Sequence, residues 1–233
     1  MDPQLPLFPL TTALVPGLVL PLHIFEPRYR LMVDELLAKP EDEREFGIVA
    51  VRERHLGAIN SPEVSPSQAD EFFPVGVTAV LRQADRLEDG RYDIVTVGGR
   101  RFNVQQVDRS APLLRASVDF LDEPDVDPDD PGIRGIVERA KRSFERYRAA
   151  LGGRLDEQRP EDEQIPDDPT VLSYLITAAL IIDATTRQEL LVSSDARTRL
   201  VTGIGVLDTE AALIGALGAV PALDLLNSAP SAN

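Results

Sequence analysis

The chain has 233 residues, a formal charge of −15 and no cysteine. That length can bury one large core or two small ones, and the lack of cysteine excludes disulfides, thiolate metal sites and thiol catalysis. The negative field disfavours nucleic acid, whose affinity rests on Lys and Arg displacing condensed counterions.

The opening MDPQLPLFPL lacks a basic n-region and does not read as a signal peptide. Leu5 to Leu10 predicts a short edge strand, because two prolines remove two ladder donors. After a Pro16-Gly17 turn, Leu18 to Ile24 predicts a buried strand that runs directly into a helix at Glu26-Pro27. In that helix Tyr29, Met32, Val33, Leu36 and Leu37 recur at helical spacing and are expected to build one core-facing stripe. Pro27 suits the first helical position, and Lys39-Pro40 marks the stop. At about 100° per residue Leu31 falls on the opposite side, framed by Arg28, Asp34 and Glu35. A leucine framed by charges is either an ordinary exposed apolar residue or part of a contact site.

Phe46 to Val51 reads as an interior strand, residues 55–71 as a mobile loop, and Val75 to Ala84 as a further strand. Asp89-Gly90 predicts a type I′ hairpin, since both central residues need positive φ. Tyr92, Ile94 and Thr96 alternate with Asp93, Val95 and Val97; Gly98-Gly99 is then expected to turn the chain into another strand, Phe102 to Val107. Leu114, Ala116, Val118 and Phe120 complete seven predicted strands, which with one helix suggest a closed or nearly closed small barrel.

Asp119 to Pro131 holds seven acids and three prolines and reads as an interdomain linker. Beyond it the period becomes helical. Ile133 to Leu151 is amphipathic and ends at Gly152-Gly153. Asp168-Pro169 starts a second helix, TVLSYLITAALIID, apolar nearly all round. Thr185 or Thr186 is expected to cap a short helix, and Asp195 a final one whose middle Gly203 and Gly205 are expected to break. The chain thus divides into a β-rich part (1–121), an acidic linker (122–132), a helical bundle (133–220) and a frayed tail (221–233), an α+β arrangement. Its longest strongly apolar window, Val171 to Ile182, is shorter than the roughly 20 residues a membrane span needs, so a cytoplasmic protein with no membrane partner is expected.

Chemistry-bearing motifs are few. The two histidines, His23 and His55, have no serine and carboxylate arranged near them, and His23 with Glu26 lacks a third metal ligand. No GxxxxGK[ST] loop and no DxDxDG pattern occurs, so no catalytic, cofactor or metal residues are assigned. The helix from Ile133 carries Arg134, Arg139, Lys141, Arg142, Arg146 and Arg148 against Glu138 and Glu145, and reads as a self-compensated face or as a docking surface for an acidic partner.

The stretch PLFPLTTALVPGLVLPLHIFEPRYRLMV, followed by FGIVAV, by VGVTAVLRQADRLEDGRYDIVTVGGRRFNV and by RQELLVSSDARTRL, resembles the N-terminal substrate-binding domain of the ATP-dependent Lon proteases over residues 5 to 218. The resemblance implies a PUA-like β pseudo-barrel followed by a helical bundle. A full Lon protease would continue into ATPase and Ser-Lys peptidase modules, so the chain is expected to be a stand-alone, non-enzymatic relative. Its implied partners are unfolded or tagged polypeptides or another protein, with Arg28, Leu31 and Glu35 as expected anchors. An RNA-binding PUA-like protein is the alternative, and a hydrolase using His23 is a third reading that no constellation supports.

Overall fold

The computed structural model describes residues 4–52, 71–152 and 165–217. His55, the tail 221–233 and most of the loop expected at 55–71 lie outside them. The chain forms two compact units, Met1–Asp122 and Glu123–Asn233.

The first unit contains strands β1 (Gln4–Leu10), β2 (Val19–Ile24), β3 (Glu45–Ala50), β4 (Val75–Arg86), β5 (Tyr92–Asp108) and β6 (Arg115–Phe120), with helix α1 (Pro27–Leu37) between β2 and β3. They form one mixed sheet in the order β2-β5-β4-β3-β1-β6, and a β5–β6 pairing closes five of them into a ring. Only β1 and β3 run parallel. Leu7, Val49, Phe102 and Val118 are wholly buried and share its core.

Four expectations change. β1 is not an edge strand, since it lies between β3 and β6. Its prolines are tolerated because each half of the strand has a single ladder partner: Pro6 pairs only with Arg115 and Pro9 only with Val49. β2, expected to be buried, is the terminal strand of the sheet and pairs with β5 alone, and its alternate residues Val19, Pro21 and His23 are exposed. Gly98-Gly99 makes no turn; β5 runs straight through it, which reduces seven strands to six. A Cβ at Gly98 would lie 2.2 Å from the Val15 carbonyl oxygen, so Gly98 serves close backbone approach, while at Gly99 a Cβ would meet the Thr78 hydroxyl at 2.5 Å. Asp89-Gly90 does form a hairpin, but only Gly90 has positive φ. Gly90 N–H donates to the Leu87 carbonyl and Leu87 N–H to the Arg91 carbonyl, a three-residue loop closed by a left-handed glycine.

The second unit contains α2 (Pro131–Ala150), α3 (Pro169–Ala179), α4 (Ala184–Val192) and α5 (Ala196–Leu217). Ile133, Phe144, Tyr147, Leu172, Leu200 and Leu207 share its core. Each helix starts on an aspartate whose carboxylate accepts from first-turn N–H groups, Asp130, Asp168, Asp183 and Asp195 in turn. The cap of α4 is therefore Asp183, not Thr185 or Thr186, because its carboxylate reaches both threonine N–H groups. The second helix is shorter than predicted, with Leu180 already extended. α5 is unbroken. Two interior glycines cost about 1 kcal/mol each, which the burial of Leu200, Ile204, Leu207 and Ile214 outweighs.

Candidate functional site

Helix α1 follows β2 after Phe25 and Glu26, with Pro27 at its first turn. Tyr29, Met32, Val33 and Leu36 are buried as the stripe requires. Leu37, predicted to join them, is exposed because it lies at the edge of the stripe in the last helical turn. The Tyr29 ring packs 4.3 Å from Phe8, and burial pushes its phenol up to about 12.

On the outward side Leu31 is 54% exposed. Arg28 and Glu35 share its face at i−3 and i+4, but each is already engaged. Arg28 pairs with Glu26 at 2.7 Å and lies over the Tyr29 ring, leaving its side chain 19% exposed. Glu35 accepts from Arg115 of β6 at 2.5 Å. The three predicted residues thus form one face, on which an apolar centre is flanked by two internally paired charges.

A larger apolar surface, missed in the sequence, lies on the outer face of β2, β5 and β4. Val19 stands directly opposite Val97, and Pro21 opposite Val95. Val97 in turn stands opposite Val80. Opposed residues project from the same side of a sheet. Val19 is 57% exposed, the three other valines are half-buried, and Leu18 and Phe25 at the two ends of β2 are also exposed. The signal was present: in 92–97 both alternating sets contain apolar residues, so whichever set turns inward, the other leaves an apolar outer face.

At one end of this face His23 stands opposite Asp93 and Asp93 opposite Asp85. Arg91 Nη1 lies 3.1 Å from His23 Nε2 and Asp93 Oδ1 lies 2.6 Å from Nδ1. A guanidinium can only donate, which makes Nε2 the acceptor and places the ring proton on Nδ1, donated to Asp93. Both ring nitrogens are therefore engaged, and His23 has no lone pair aimed at solvent for a substrate or a metal. Among the described residues no group of three or more His, Asp or Glu is gathered that could hold a metal ion.

The arginine-rich face of α2 is compensated in part from within its own unit. Arg146 donates to Asp208 at 2.8 Å, Arg139 approaches the same carboxylate at 3.9 Å, and Lys141 donates to Asp167. No helix among the described residues is long and apolar enough to cross a membrane.

Residues 4–209 match the family described as the ATP-dependent protease La (LON) substrate-binding domain. The chain is 28% identical over 193 residues to Lon protease 1 of Thermus thermophilus, covering 81% of this chain and 24% of that protein. It is 23% identical over 211 residues to the Lon protease of Cytophaga hutchinsonii, covering 88% and 24%. Among solved structures, it resembles the N-terminal domain of the Mycobacterium avium complex Lon protease with a TM-score of 0.62 at 20% identity, covering 88% of this chain and 98% of that one. The Lon N-terminal domain protein of Xanthomonas campestris gives 0.60 at 20%, covering 87% and 98%. These structures share the α+β fold described above. The chain spans about a quarter of the length of the curated relatives it matches. It belongs to the Lon substrate-binding domain family.

Proposed function

We propose that this chain is a non-catalytic module that holds unfolded or tagged polypeptide, acting in the cytoplasm, with the outer face of β2, β5 and β4 as its principal surface. The observation that carries the reading is the row of outward valines, Val19, Val97 and Val80, beside Pro21 and Val95, on a fold whose family is defined by substrate binding. Water leaving such a surface contributes about 25 cal/mol per Å² covered, without requiring a particular sequence in the ligand. Pro21 has no N–H to offer on the free edge of β2, which favours reading by the sheet face over addition of a strand. Leu31, with Arg28 and Glu35 beside it, is the second contact. The carboxylates of Asp85 and Asp93 next to the apolar row repel phosphate, which supports polypeptide over RNA.

The test is anisotropy titration of a fluorescently labelled, permanently unfolded polypeptide. Replacing Val19→Asp with Val97→Asp is expected to weaken binding at least about tenfold, equivalent to roughly 1.4 kcal/mol, and Arg28→Ala with Leu31→Ala to weaken it less. Unchanged affinity in both double variants would overturn the placement.

A further inference from the structure

We infer that the outer face of α2 is a second binding site, which takes an acidic segment of a partner polypeptide on Arg139, Arg142 and Arg146. At about 100° per residue the three arginines fall within an arc of about 60°. All three are exposed, and with Glu145 and Ala149 they line, among the described residues, a surface cavity of about 700 Å³. The site lies wholly within the helical unit and does not depend on the sheet face proposed above.

The charges on this face are unevenly matched. Arg146 donates to Asp208 of α5 at 2.8 Å, whereas Arg139 approaches the same carboxylate only to 3.9 Å, beyond hydrogen-bond reach. Arg142 stands three residues after Arg139 and four before Arg146, and makes no ion pair or hydrogen bond with a described residue. Like charges at those spacings repel one another. Arg139 and Arg142 thus present two planar forks of N–H donors to solvent with no acceptor among the described residues. Asp208 shows what fits the row, because it is a carboxylate set against two of its members. A ligand carboxylate at Arg142 would complete the pairing, and a bidentate fork would fix its orientation.

From Arg139 to Arg146 the helix rises about 10.5 Å, the length of about three residues of extended chain. A short extended segment with acids at alternate positions therefore spans the row. Glu145 and the charge of −15 select polypeptide over a phosphate polymer. A phosphate polymer brings a charge at every unit against them, whereas a polypeptide can set a neutral side chain opposite Glu145.

The test is anisotropy titration of a fluorescein-labelled peptide of alternating Glu and Ser with the full chain, at about 0.01 M and about 0.15 M salt. The natural chain is expected to bind it, more weakly at the higher salt, and to leave a Gln-Ser peptide of equal length unbound. Arg139→Gln with Arg142→Gln, both on the exposed face, should weaken binding at least about tenfold at unchanged helix content, through the loss of two charge-assisted forks. No binding by the natural chain, equal affinity for the neutral peptide, or unchanged affinity in the double variant would each overturn the site. Tighter binding of inorganic polyphosphate than of the acidic peptide would overturn the polypeptide ligand. Neutralising Glu161, Asp162 and Glu163 tests the chain's own acidic segment as the occupant. Unchanged peptide affinity supports a partner, and a gain of about tenfold, equivalent to roughly 1.4 kcal/mol, would overturn it.

Discussion

Gly98 lies against the backbone of Val15 so closely that a Cβ on it would meet the Val15 carbonyl oxygen at 2.2 Å. Gly98 N–H donates to Leu18 and its carbonyl accepts from Gly17, which locks the chain segment ahead of β2 onto the middle of β5. Gly98→Ala must push one backbone away from the other. It is expected to destabilise the strand unit by about 1–3 kcal/mol, read as a lower urea midpoint at unchanged m-value.

The opposite sign is expected inside α5. Nothing lies within 4 Å of a Cβ built on Gly205, so Gly205→Ala gains helix propensity without a clash. It should raise stability by up to about 1 kcal/mol. At Gly203 the same Cβ would meet Ile176 Cγ2 at 3.3 Å, so Gly203→Ala should gain less or lose. Paired thermal denaturation of the two variants separates propensity from packing; a destabilised Gly205→Ala would contradict the argument.

These glycines show what was legible. α1 was readable because its stripe, Pro27 and Lys39-Pro40 are all local signals, and the wheel placed Leu31 outward correctly. Gly98-Gly99 was not, because glycine meets the needs of a turn and of a close backbone crossing equally well, and the crossing partner, Val15, is a tertiary fact. Leu18 to Ile24 is apolar apart from His23, and apolarity does not say which face another layer will cover. Asp183, Thr185 and Thr186 are all good caps within three residues of one another, so only geometry selects among them. The ion pair that occupies Glu35 comes from Arg115, 80 residues away, and no local pattern announces it.

Arg187 joins α4 to the end of α3, donating to the Thr177 and Leu180 carbonyls at 2.8 Å each. These carbonyls belong to the last turn, where no helical N–H follows to satisfy them. Burial lowers the Arg187 pKa, a cost the fold accepts for the two bonds. Arg187→Met leaves both carbonyls without that donor and should destabilise the helical unit by about 2–4 kcal/mol. Arg187→Lys places one point charge where a fork is needed and should recover less than half, measured by urea unfolding of the full chain.

Acid should weaken the helical unit through its caps. The Thr186 hydroxyl and N–H groups donating to Asp183 hold its carboxyl below the usual value, and backbone N–H donors from Thr198 and Ile133 do the same for Asp195 and Asp130. A carboxyl depressed in the folded state contributes stability that is fully present above its unfolded pKa, about 4, and is lost as pH falls through the folded value. Stability of the helical unit should therefore be flat from pH 7 to about 5 and fall below about 4. Asp183→Asn caps without titrating and should cost little at pH 7 while flattening part of the acid limb, whereas Asp183→Ala should lose about 1 kcal/mol at pH 7. Urea midpoints followed by circular dichroism across that range distinguish the two. An asparagine variant with the same acid slope as the natural chain would show that the Asp183 cap does not carry its share.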